Sequence, residues 1–184
     1  IKDFGATDYF NLTINDTNTN KATFVMGNTL GIAGSLTISS GTLDANFLDI
    51  TLTGTSWNAT GGNFVSGTNT VTFNNQSGDV TIITGGTDDS HDFNNVVMNI
   101  AAGWPALHVV TNDMDIDGNL TLTSGIFSPT TNVYLAGNLI ISSTNIGAED
   151  DTGDLIFDGT GLQTITNSVG ETAAVAEVQI SNAV

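Results

Sequence analysis

The chain has 184 residues, of which 39% are apolar and only 11% charged, and its two lysines stand against 19 acids for a formal net charge of -17. So few cations leave no basic surface for a phosphate backbone, which excludes nucleic acid as a partner. The absence of cysteine removes any disulfide frame or thiolate metal site, and no apolar run reaches the roughly 18 residues of a membrane-spanning helix.

High charge with low hydrophobicity would favour disorder, but here apolar residues alternate with polar ones in short runs, so a folded all-β chain is expected. Residues 1–9 read as an N-terminal joining segment. A start at Ile1 points to a processed protein or a piece of a longer one, and the wealth of Thr, Asn and Gly with almost no Lys points to export. The expected location is extracellular or at the cell surface.

A first repeat is read over residues 10–92. It runs from Phe10-Asn11 through strand-like triplets at Leu12-Thr13-Ile14, Leu36-Thr37-Ile38 and Val80-Thr81-Ile82, with Ile32, Leu52 and Phe73 between them. Thr, Val, Ile and Phe fill the runs, and Gly, Asn, Asp and Ser punctuate the corners. A second repeat is read over residues 93–177. GSLTISSGTL from Gly34 returns as GNLTLTSGIF from Gly118, and VTFNNQSGDVTI from Val71 returns in outline as LIFDGTGLQTIT from Leu155. Leu52-Thr53-Gly54 returns as Leu135-Ala136-Gly137, and Phe10-Asn11 as Phe93-Asn94. All four segments keep one register, a period of about 84 residues. Residues 178–184 begin a third copy or form a joining strand. The Ala-rich stretch from Glu171 to Glu177 is the nearest approach to a helical pattern.

Within each copy a shorter period of roughly 20 residues gives about eight rungs in all, a length suited to a solenoid. One expected column holds Leu12, Leu36, Val80, Leu120 and Gln163; another holds Ile32, Leu52, Phe73, Ile116, Leu135 and Phe157. A β-sandwich would also show short strands at regular intervals. The regular return of like residues favours stacked coils instead, because successive rungs then place equivalent side chains about 4.8 Å apart.

Phe93-Asn94-Asn95, the run from Gly118 to Gly125, Leu52-Thr53-Gly54 with Trp57, and the run from Gly67 to Phe73 together resemble the long repeat arrays of bacterial and archaeal cell-surface proteins. The resemblance covers nearly the whole chain. It implies a right-handed parallel β-helix of the kind found in adhesins and exported filamentous proteins, and it carries no catalytic or binding residue with it.

Asp113-Met114-Asp115-Ile116-Asp117-Gly118 imitates the opening of an EF-hand loop, but a twelve-residue loop would place its bidentate acid at Ser124. Met114 and Ile116 read better as the inward face of a strand whose outward face is acidic. Two loops are better candidates for a structural Ca²⁺, the only cofactor expected: Asp88, Asp89 and Asp92 in one, and Asp150, Asp151 and Asp154 in the other. Solvated acidic loops that keep the chain soluble are the competing reading. His91 and His108, well separated in the chain and with no Cys to join them, make a poor Zn²⁺ set. Sequons at Asn15, Asn58 and Asn75 fall in expected turns and are the better glycosylation candidates; those at Asn11 and Asn119 fall in strands.

Catalysis is not expected. A lyase acting on acidic sugars needs a cation near its substrate, and Lys2 and Lys21 both lie near the start of the chain. A glycoside hydrolase would need only two carboxylates, but also sugar platforms, and Trp57 and Trp104 fall at different places in the two repeats. An ice-binding face of stacked threonines is set aside, since Thr51 is expected in a different column from Thr121 and Thr164, with Trp57 or Ile140 interrupting. The expected function is mechanical: a segment of an extracellular filament, adhesin stalk or surface layer, partnered end to end by identical subunits or adjacent repeats. The alternative is a glycan- or host-binding module using the loops around Trp57 and Trp104.

Overall fold

A computed structural model describes Ile1 and residues 7–103, 105–142, 146–147, 152–168 and 178–180 of the chain. These residues contain no helix, and every named strand pairing is parallel. The chain winds as a β-solenoid with three faces. β1 (Leu12–Asn15) lies on the second face and β2 (Thr23–Val25) on the third, after which six full coils follow. The first coil holds β3 (Leu30–Ile32), β4 (Ser35–Ser40) and β5 (Thr42–Asp44), and the second β6 (Ile50–Leu52), β7 (Ser56–Asn58) and β8 (Asn63–Val65). The third has β9 (Thr70–Phe73) and β10 (Val80–Ile83), with Phe93 bridging to Ile116 in place of a strand on the third face. β11 (Asn95–Asn99), β12 (Ala106–Val109) and β13 (Met114–Ile116) make the fourth. In the fifth, β14 (Leu120–Pro129) runs through the first and second faces and is followed by β15 (Val133–Leu135). β16 (Leu139–Ile141), β17 (Ile146–Gly147) and β18 (Leu155–Phe157) make the sixth, and β19 (Ile165–Asn167) and β20 (Val178–Ile180) continue the first and third faces.

The expected parallel β-solenoid is thus the fold, with six full coils where eight rungs were expected. The coils are longer on average and less even than the short sequence period: on the first face, the coil that carries Leu120 to Leu139 is markedly shorter than the one that carries Leu139 to Ile165. The expected columns also divide. Ile32, Leu52 and Phe73 stack on the first face, whereas Ile116, Leu135 and Phe157 stack on the third. Leu12 and Leu36 pair on the second face, but Leu120 belongs to the first. Residues one sequence repeat apart therefore lie on different faces. From β4 to the start of β14 the chain makes eleven steps around a three-faced coil, and three does not divide eleven.

Period-two alternation fills the interior. Leu36, Ile38, Leu43, Ile50, Leu52, Val71 and Ile82 are fully buried, as expected where every face turns one side to a common core. In the second and third coils the lumen is occupied by Trp57, Phe64, Phe73 and Phe93, drawn from all three faces, with Trp57 4.9 Å from Phe64 and 5.1 Å from Phe93 between ring centroids. On the outside of the first face, Thr51, Thr72, Val97, Thr121, Ile140 and Thr166 form one row. This corrects the expectation that Thr51 and Thr121 stand in different columns. Val97 and Ile140 still break the hydroxyl row, but every member is β-branched, the side-chain type that packs best on a pleated surface.

The corners are held by a second ladder. Asn95 Oδ1 accepts the Asn119 N–H at 3.0 Å, Asn119 Oδ1 accepts the Asn138 N–H at 2.9 Å, and Asn138 Oδ1 accepts the Thr164 N–H at 2.8 Å. Asp113, Asn132 and Asp154 repeat the pattern before the strands of the third face, at 2.9 and 3.2 Å. The side-chain oxygens of Asn95, Asn119, Asn138, Asp113 and Asn132 thus each satisfy a backbone donor of the next coil where the chain turns and the strand ladder lapses.

Candidate functional site

Two features of the solenoid differ from its repetitive body: the exposed apolar residues of the partial coils that flank its six full ones, and an acidic patch on its third face.

The exposed large apolar side chains are Phe10, Phe24, Val25, Phe47, Val65, Leu162 and Ile165. All but Phe47 and Val65 belong to the segments bearing β1, β2 and β19, each the outermost described strand of its face at one end of the solenoid. Among the described residues, β1 pairs only with β4, β2 only with β5 and β19 only with β16, so one edge of each lacks a neighbouring strand, although the outward Val25 carbonyl of β2 accepts a hydrogen bond from the Ile1 ammonium at 3.0 Å. The Phe10 carbonyl and the Asp16 N–H are both directed at the next coil. Because the direction alternates along a strand, the Thr13 N–H points to the open side.

The acidic patch arises from register. The bridge between Phe93 and Ile116 sets Asp92 beside Asp115 of the next coil, while Met114 and Ile116 point into the core. The strand reading of the Asp113–Gly118 motif therefore holds, and β13 turns Asp115 and Asp117 outward. Two coils beyond Asp117, Asp158 follows β18 on the same face. Asp92 is only 8% exposed and its Oδ1 is buried with no hydrogen-bond donor. Burial, followed by the charges of Asp115 and Asp117, pushes its carboxyl up to about 7. Asp115 is raised to about 6, first by burial and then by Asp158 and Asp117. Asp158 is raised too, chiefly by burial.

The other expected site residues separate. Asp88 and Asp89 lie exposed in the loop before Asp92. Asp88 Oδ1 takes hydrogen bonds from the Ser90 hydroxyl and from His91 Nδ1, the latter at 2.7 Å, and those bonds draw its carboxyl down to about 2. The Asp154 backbone N–H donates to Asn132 Oδ1 at a corner of the third face, and Asp150 and Asp151 lie outside the described residues. Among the described residues no three acidic or histidine side chains converge as a ready-made metal centre. His108 sits between Thr81 and Ser128 on the outside of the second face, well away from His91.

Asn15 is exposed at the end of β1, and Asn58 is half-buried with its Oδ1 bonded by Thr60. Asn75 is 3% exposed, its Nδ2 donating to the Asp79 carbonyl at 3.2 Å and its Oδ1 accepting from the Ser77 N–H at 2.9 Å, so a sugar there would require the turn to open. Trp57 is fully buried in the aromatic cluster and offers no platform to a glycan; Trp104 lies outside the described residues. Sequence reasoning missed the alliance of Asp92 with Asp115 and Asp117. The signal existed in the acid-apolar-acid alternation of β13, but the coil length between Phe93 and Ile116 had to be known to place Asp92 beside it.

No helix among the described residues is long and apolar enough to cross a membrane. No protein-family model matches the chain, and no curated protein or solved structure matches it significantly.

Proposed function

We propose that the chain is a structural segment or subunit of an extracellular filament, adhesin stalk or surface layer, bearing load along the coil axis and joining end to end through the edges of its outermost coils. The observation that carries this reading is the coincidence of one-sided strands with exposed apolar residues at those coils. Open strand edges are normally capped or charged to prevent pairing. Here Phe10, Phe24 and Val25 accompany β1 and β2, and Leu162 and Ile165 accompany β19, while the described sides of the solenoid carry few large apolar groups.

The composition supports the same role. A chain of net charge -17 repels its own copies side by side, so contact is favoured where the charge is low and the backbone can pair. A shaft stiffened by successive parallel ladders is a mechanical rather than a catalytic asset. The abundance of Thr, Asn and Gly and the scarcity of Lys support an exported location.

Sedimentation velocity and negative-stain imaging across a concentration series test the proposal. End-to-end chains that lengthen with concentration are expected, and Thr13→Pro, which removes one outward N–H without breaking a bond to β4, shortens them. A wild-type chain that stays monomeric at millimolar concentration would sink it.

A further inference from the structure

We propose that the third face carries a Ca²⁺ site at the junction of the third and fourth coils, with Asp92 and Asp115 as its charged ligands and Asp117 alongside. Asp92 Oδ1 is the carboxylate oxygen of the patch that the protein leaves unsatisfied. It is buried and has no donor, although its side chain is nine-tenths covered and lies against Asp115 of the next coil. An ionised oxygen in that setting requires a counter-charge.

The protein has almost none to give. Its basic side chains are Lys2 and Lys21, and Lys21 sits between β1 and β2, more than two coils from the patch. His91, the nearest imidazole, is bonded to Asp88. Among the described residues, the remaining groups facing the pair are Asp88, Asp89, Asp117 and Asp158, all acids, and the Tyr134 phenol beside Asp115. No cation among the described residues neutralises the pair, which leaves the role to an ion from solution.

The donor set selects its kind. With only carboxylate, carbonyl and water oxygens, the patch suits a hard cation and not a thiophilic or imidazole-seeking one. Asp92 and Asp115 come from adjacent coils and no third acid yet converges with them, so the site is open and irregular. Ca²⁺ accepts six to eight oxygens in flexible geometry and can complete its shell with water, whereas Mg²⁺ demands near-ideal octahedral placement. Two or three carboxylates on a surface site correspond to dissociation constants of about 10⁻⁴ to 10⁻³ M. An ion held between Asp92 and Asp115 ties the third coil to the fourth where no strand of the third coil does so.

The test is thermal unfolding and titration calorimetry on chelator-stripped full chain at pH 7.5. CaCl₂ at 10 mM is expected to raise the melting midpoint by about 5 °C, MgCl₂ to raise it less, and NaCl at equal ionic strength, which only screens the chain's own acids, to raise it least. Asp92→Asn, isosteric and neutral, is expected to fold and to lose the response; Asp117→Asn weakens it; Asp89→Asn, in the exposed part of the same loop, keeps it. The proposal is overturned by a wild-type chain that shows neither calorimetric heat nor a midpoint shift with CaCl₂, by an equal shift with NaCl, or by an undiminished response in Asp92→Asn. It is also overturned if acidification alone stabilises the chain while CaCl₂ does nothing, since the proton would then be the only counter-charge.

Discussion

Asp92 makes the protein's response to pH unusual at the residue level. Most buried carboxylates are stabilised as anions by a partner and lose that stability in acid, but Asp92 and Asp115 are raised, to about 7 and about 6. A raised carboxyl favours the folded state while it is protonated, so the contribution is intact below the ordinary carboxylate range and is lost as pH climbs from about 4 through 7. Without divalent cations, the unfolding free energy is therefore expected to fall across that window. Asp92→Asn should remove much of the fall and be more stable than wild type at pH 8 by about 2 kcal/mol, with solvent at the loop edge moderating the effect. Chemical unfolding of both chains at pH 5 and pH 8 checks this; a wild type that gains stability as pH rises would contradict it.

Glycine acts at the same scale but through the backbone. Gly41 and Gly125, equivalent positions of the two repeats, hold φ of +92° and +97°, where an L side chain is strained. A Cβ on Gly125 would also collide with the Ile100 side chain of the preceding coil. Gly125→Ala is expected to cost about 3 kcal/mol, measured by the same chemical unfolding, and a cost under about 1 kcal/mol would show that the corner relaxes.

At the level of the element, what recurs in the sequence is a local device: strand, serine, positive-φ glycine, strand. In β4 and β5 it turns the chain from the second face to the third; in β14 the same device turns it from the first to the second. Any face can host it because all three turn alternate side chains to a shared core. The corner ladder of Asn95, Asn119 and Asn138 is likewise independent of its place in the repeat. Asn119→Ala leaves the Asn138 N–H without its acceptor, and a loss of about 1 to 2 kcal/mol is expected in chemical unfolding. Asn119→Asp, which keeps the oxygen, should recover most of it; equal losses in both variants would show that the ladder contributes nothing.

Across the whole molecule, the mismatch between the long sequence repeat and a three-faced coil rotates each copy to a new face. The copies share strand and corner chemistry but not neighbours. Leu52 on the first face stacks on Ile32 and Phe73, whereas its counterpart Leu135 on the third stacks on Ile116 and Phe157. The aromatic filling of Trp57, Phe64, Phe73 and Phe93 consequently belongs to the second and third coils rather than recurring with the sequence period. The acidic patch belongs to the third face alone, because that is where the loop ending at Asp92 meets β13.

By itself the sequence determined that the chain is all-β, that its strands alternate inward and outward, where many of its corners fall, and that like residues pile up along one axis. All of these follow from interactions a few residues long: the period-two pattern, the turn chemistry of Gly, Asn and Asp, and the acid-apolar-acid run of Asp113 to Asp117. Only the tertiary structure decided how many residues close each coil, and with that which face each strand joins. Coil length is the sum of three strands and three corners of unequal size, so an error of a few residues moves a side chain to another face. That sum buried Trp57 in the lumen, set Thr51 in one row with Thr121, and brought Asp92 against Asp115 with an oxygen still in want of a partner.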